Sequence, residues 1–263
     1  MISTITSVEF EKITRKKSSI IILSLMVVFL IILTIVGYKF RMKEMELGTG
    51  FQVVAFSLQF VLQGMTLVVL AISSMSLSRE ISSGTIKTVL ARNIQRRDLI
   101  IGKFTALFLA SIMALLIAYL IGLLLGQFLG GLIPLKDGSY LLCSAGSLAW
   151  GYITSLLLFI PPLSALISFG ILISVLIRGT GGAVSTGIIS FFFLQMVSQV
   201  DQVDKYFFTK YLKLPIDSYA KMTEGIFLTQ KASIYWNIGV STVCTLVFLG
   251  LAIGIFSKKD LWR

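Results

Sequence analysis

A chain of 263 residues that is 56% hydrophobic and only 13% charged, with a strongly positive mean hydropathy, is composed like an integral membrane protein; soluble domains carry ~25% charge. A net charge of +11 would suit nucleic acid in a soluble protein, but in a chain this apolar the excess lysine and arginine reads as topology-setting charge, and nucleic acid is set aside. Histidine is absent, which removes serine–histidine triads and histidine-based zinc sites, and two cysteines, Cys143 and Cys244, are too few for a disulfide framework.

The first segment, 1–17, carries Glu9, Glu11 and a basic cluster of Lys12, Arg15, Lys16 and Lys17. The apolar run that follows, 18–38, is too long for a signal-peptide core and lacks a small-residue cleavage pattern, so it reads as a retained first span. A helix crosses the hydrocarbon core with ~20 mostly apolar residues. On that count further spans fall at 51–77, 104–130, 147–177, 183–200 and 235–256. The second holds Phe56, Gln59, Phe60 and Gln63, whose four-residue spacing puts the two amides on one helical face. The third repeats small residues at Ala118, Gly122, Gly126 and Gly130, and the sixth at Gly250 and Gly254. That spacing permits close helix approach, although glycine-rich membrane helices also carry it by chance. Pro161-Pro162 predicts a kink or break in the fourth, with a neighbour or water satisfying the freed carbonyls. The fifth offers Phe191, Gln195 and Gln199.

Six spans place both termini on one side. If that side is the cytoplasm, the inner segments 1–17, 78–103, 178–182 and 257–263 hold 14 basic residues against 9 in the outer segments 39–50, 131–146 and 201–234, which favours this orientation. The spans hold almost no ionisable side chains, which counts against ion-coupled transporters, proton pumps and charged-ring channels. The 78–103 loop has more order than a topology loop needs. Ser82 or Ser83 can cap a short helix in which Ile86, Val89 and Leu90 recur on one face; Asn93 suits its closing turn; a second helix begins near Arg96 and enters the third span through Lys103. An apolar stripe there has to meet lipid or a partner. Glu80 has two readings, a group that faces such a partner or an intrachain ion pair near Arg79 and Lys103. In 201–234, Tyr206, Phe207, Phe208, Tyr211 and Leu212 interleave with Lys205, Lys210 and Lys213, a pattern suited to a membrane interface.

The ordered set Glu80-x-x-x-Gly84-Thr85, Val89-Leu90, Arg96 and Gly102-Lys103 resembles the cytoplasmic loop of ABC-2 type transporter permeases, the membrane subunits of bacterial ATP-binding cassette exporters. Asn93 stands where that family has proline. Glu9-Phe10-x-x-Ile13 is similar to the family's connecting helix, and Phe256-Ser-Lys-Lys-Asp260 to its C-terminal ending. The resemblance covers the whole chain. It implies an all-α integral membrane protein with one ABC-2 domain, 1–263, six transmembrane helices and both termini cytoplasmic. An amphipathic connecting helix would occupy 1–17, and a coupling helix would lie in 78–103 between the second and third spans.

The same resemblance implies a multi-pass protein of the bacterial inner membrane with no catalytic residue, metal or cofactor of its own. ATP and Mg would be bound by separate cytoplasmic ATPase subunits, in keeping with the absence of a GxxxxGK[ST] cradle. Glu80, Gly84, Thr85, Ile86, Val89, Leu90, Arg92 and Arg96 would dock that ATPase, with apolar anchors for rigidity and charges for orientation. A second permease copy or a sister permease, and membrane lipids, are the other expected partners. A path lined by Phe56, Gln59, Phe60, Gln63, Phe191, Gln195 and Gln199 would suit a lipid-like or amphipathic cargo, although lipid-facing phenylalanines explain the same residues. Segment 201–234 would supply short helices that dip back over the outer end of the path, with the interfacial belt as the alternative. A secondary transporter or channel lacks the intramembrane charges it would need. An intramembrane protease lacks histidine and paired aspartates. A non-transporting membrane scaffold for an ATPase would present the same docking surface.

Overall fold

The apolar runs become long helices. The computed structural model describes residues 2–15, 17–44, 49–86, 95–137, 139–200, 203–226 and 231–258. In chain order these form α1 (Ile2–Thr14), α2 (Lys17–Glu44), α3 (Gly50–Ser82), α4 (Arg96–Leu129), a hairpin of β1 (Leu135–Asp137) and β2 (Tyr140–Cys143), α5 (Ala145–Leu176), α6 (Thr180–Val197), a 3-10 turn (Asp204–Tyr206), α7 (Phe208–Thr223) and α8 (Lys231–Lys258). Among the described residues five helices, α3, α4, α5, α6 and α8, are long and apolar enough to cross a membrane. Helix α2 runs for 28 residues, and its described apolar part is Val27–Val36.

Helices α3 and α5 are the most enclosed, and α5 packs against α3, α7 and α8. The residues of α5 from Ala165 to Val175 are buried without interruption, Ser168 and Ser174 included. The proline pair does not break α5. Pro162 has no N–H to give to the carbonyl four residues back, and that carbonyl, Leu158 O, instead accepts a 2.9 Å hydrogen bond from Asn237 Nδ2 of α8. Ser164 hydrogen-bonds Pro161 O at 2.7 Å and the Thr245 hydroxyl at 2.9 Å, adding a second polar tie between the same two helices.

The glycine stripe of α4 packs against the start of α3. A methyl on Gly126 would fall 2.4 Å from Val54 Cγ2, and one on Gly130 would fall 2.7 Å from the Gly50 nitrogen. At Gly122 the neighbours are the Tyr152 hydroxyl at 3.1 Å and Val54 at 3.3 Å. Gly250 and Gly254 are different: a methyl at either would meet nothing within 4 Å. The close packing expected from their spacing is not made among the described residues, because α8 turns Ala252 and Phe256 inward and leaves the glycine face outside.

The second predicted span is longer than its apolar run. Helix α3 continues through Ser82, Ser83 closes it, and Gly84 at φ 71° reverses the chain into a new helical turn at Thr85 and Ile86. Ser82 and Ser83 therefore end one helix rather than start the next, and a positive φ is what the glycine at 84 supplies. Helix α4 begins at Arg96, as its sequence predicts.

Candidate functional site

Two polar constellations stand along α3, one at its C-terminal end and one around Gln59 and Gln63. The first gathers where α1, the end of α3 and the start of α4 meet. Helix α1 lies against α4 through Ile5, Thr6 and Glu9, which share one helical face. Gly102 lets it approach, since a methyl there would lie 2.6 Å from Ile5 Cγ2. One turn away the Thr6 and Thr105 hydroxyls pair at 2.8 Å. Lys103, only 2% exposed, donates to Glu80 Oε1 at 2.7 Å and to Glu9 Oε2 at 3.1 Å. Lys12 donates to the same Glu80 oxygen at 2.9 Å and lies 3.6 Å from Glu9 Oε1. Partial burial opposes the charge on Lys12, but Glu80 and Glu9 outweigh it and hold the ammonium above the ordinary lysine value. Glu80 Oε2 is buried and has no partner among the described residues.

These side chains face inward. Glu80 occupies the intrachain ion pair that was one of its two readings, with Lys103 and Lys12 rather than Arg79 as partners. Ile86, expected as an external anchor, is 2% exposed and belongs to the core cluster, because the turn at Gly84 folds it back onto the bundle. Arg96 also bonds within its own chain. Its guanidinium donates to the carbonyls of Phe256 at 3.1 Å and Ser257 at 3.0 Å, capping the end of α8, and lies over the Phe256 ring. Gly84 and Thr85 are exposed at the turn. Val89, Leu90 and Arg92 lie outside the described residues. In α1, Phe10 is partly buried and Ile13 packs against the core.

The second constellation lines a groove between α3, α6 and α7. Helix α7 is amphipathic: Phe208, Tyr211, Leu212, Ile216 and Tyr219 are packed into the bundle, leaving Lys213, Asp217 and Lys221 on the other side. Its ends are fixed. Gln52 Nε2 of α3 donates to Thr223 O at 2.8 Å, and Tyr219 meets Tyr152 edge-on with ring centroids 5.5 Å apart. The groove has a wider part of about 290 Å³ beside α6 and α7 and a deeper part of about 140 Å³ that reaches α3. Gln195, Lys213 and Asp217 line both parts.

Five of the expected path residues are thereby brought together, Gln59, Gln63 and Phe191 in the deeper part, Gln199 in the wider part and Gln195 in both. Phe56 and Phe60 are not among the lining residues. They stack edge-on with each other at 5.2 Å, and Phe60 is 47% exposed on the outside of α3, because only one face of that helix meets the groove. Lys213 and Asp217 are lining residues that sequence reading did not assign to the path. The signal was a polar stripe at four-residue spacing, Lys213, Asp217 and Lys221. Asp217 Oδ1 accepts from Gln59 Nε2 at 2.7 Å and so joins α7 to α3 across the groove. Burial raises the Asp217 carboxyl above its ordinary value, against the pull of Gln59, Lys213 and Lys221.

A family model described as ABC-2 family transporter protein matches residues 3–261. Comparison with curated proteins gave no match.

Proposed function

The chain belongs to the ABC-2 family of transporter proteins, and we propose that it is the permease subunit of an ATP-driven exporter, energised by a separate ATPase and moving an amphipathic substrate. Its setting is the bacterial inner membrane, with six spans, both termini cytoplasmic, and a second permease completing the path. The sequence has no nucleotide-binding loop, so the energy has to arrive through a contact.

The observation that carries this reading is the continuity of α3. At ~1.5 Å per residue, the 21 residues from Gln59 to Glu80 span ~31 Å of unbroken helix between the two constellations. At one end α3 is bonded to α1 and α4 through Glu80, beside the loop that would hold the coupling helix. Further along it is bonded to α7 through Gln59. A push on the loop therefore meets a rod that passes along the groove, because packed helices move as units rather than deform continuously. The groove itself favours transport over a pure scaffold role, which has no use for one.

The test is a mild-detergent pull-down of the full chain from its native membrane beside Val89→Asp. An ATPase subunit that accompanies the parent and is lost from a stably inserted variant supports the reading. Equal ATPase in both, or none with either, overturns it.

A further inference from the structure

We infer that the groove between α6 and α7 receives the anionic headgroup of an amphiphile, with Lys213 and Lys221 as the groups that recognise its charge. This rests on the groove being the path proposed above. The wider part is lined by three lysines and one carboxylate. Lys210 is paired with Asp204, outside the lining. Asp217 is occupied by Gln59 through one oxygen. Among the described residues Lys213 and Lys221 form no ion pair, and with Asp217 as the one carboxylate of the lining the two lysines leave the groove a net positive charge.

Position adds to the argument. Lys213 lines both parts of the groove, whereas Lys221 belongs to the wider part alone. In the deeper part Leu62, Phe191, Leu212 and Ile216 join Lys213 and Asp217, with three glutamines and Thr66 as neutral polar groups. The cations of the wider part thus lie next to a deeper part that adds four apolar side chains, so a phosphate- or carboxylate-headed amphiphile can meet charge and apolar surface in one groove. A concave wall of low polarizability strengthens the field of such lysines. A zwitterionic head gains less from it, because its cation would have to sit beside two ammonium groups.

The experiment uses the full chain in phosphatidylcholine nanodiscs without ATPase, carrying photoactivatable phosphatidic acid or photoactivatable phosphatidylcholine at equal mole fraction. Labelled peptides are mapped by mass spectrometry. Phosphatidic acid is expected to label Gln195, Ser198 and the polar face of α7 several-fold more than phosphatidylcholine. The double variant Lys213→Gln/Lys221→Gln should bring it down to the phosphatidylcholine level. Lys136→Gln, on the exposed side of the hairpin, should change nothing. Asp217→Asn, which keeps an acceptor for Gln59 and removes a repelling charge, should raise the labelling, so a gain as well as a loss is predicted.

Equal labelling by the two lipids overturns the inference, as does a monodisperse double variant that still prefers phosphatidic acid, or a fall in Asp217→Asn. Label confined to the outward side chains Phe193 and Met196 marks annular lipid and also overturns it. Displacement by inorganic phosphate as readily as by lysophosphatidic acid marks a free-anion site and removes the amphiphile. Because no ATPase is present, failure here leaves the pull-down result standing, and failure of the pull-down leaves the labelling result standing.

Discussion

Glu80 Oε1 accepts from two ammonium groups at once, and its removal would leave the buried Lys103 of α4 with Glu9 as its remaining carboxylate partner. Breaking a buried pair from one side costs about 3–5 kcal/mol, far more than losing an exposed contact. Glu80→Ala should therefore lower the melting temperature markedly in detergent, and Glu80→Leu/Lys103→Leu should recover much of the loss. An unchanged melting temperature for Glu80→Ala would assign the carboxylate to an external partner instead. Asp217 makes the opposite case. Its folded-state value is raised above the unfolded one, so its neutral form favours folding: that contribution is present below the ordinary carboxylate value and is lost as pH rises through the raised one. Asp217→Asn should match the parent in stability in acid and exceed it near neutrality. A gap that closes as pH rises would contradict the assigned cause.

At the scale of elements, the glycine stripes separate spacing from packing. Gly126→Ala forces a methyl against Val54 and should cost about 1–3 kcal/mol, as overpacking does. Gly250→Ala meets open space and should be neutral or stabilising by up to about 1 kcal/mol, the ordinary gain in helix propensity. Thermal unfolding of the two variants side by side reads the difference. Both stripes look alike in sequence, because a four-residue period reports which residues share a face and not what that face meets. The start of α4 was legible for a complementary reason: Arg96 follows a turn-favouring Asn93 and leads through Lys103 into the apolar run of the third span. The end of α3 was not, since its last turn carries Ser78, Arg79 and Glu80, which read as loop until Lys103 and Lys12 are seen to neutralise the carboxylate.

Across the whole molecule, membrane class and helical content followed from composition, because a chain this apolar has few other ways to satisfy its backbone. The groove was half legible. The amides of α3 and α6 were visible as faces, but their meeting with Lys213 and Asp217 depends on the packing of α7, which no periodicity in the spans encodes. Helix α7 is held by Gln52 and Tyr152, away from the ion pairs at Glu80. Val89→Asp should consequently abolish ATPase retention while leaving phosphatidic acid labelling within twofold of the parent. Loss of both together would mean that the loop also shapes the groove.

The bond from Asn237 to Leu158 has a consequence for biogenesis. The donor lies 79 residues downstream of the carbonyl it satisfies. At roughly 5–20 residues per second, a ribosome needs several seconds to deliver it. Through that interval the nascent α5 carries an open carbonyl where Pro162 withholds its proton, in surroundings where an unmet polar group is costly. The central helix of the bundle is thus completed only when α8, made well after it, arrives.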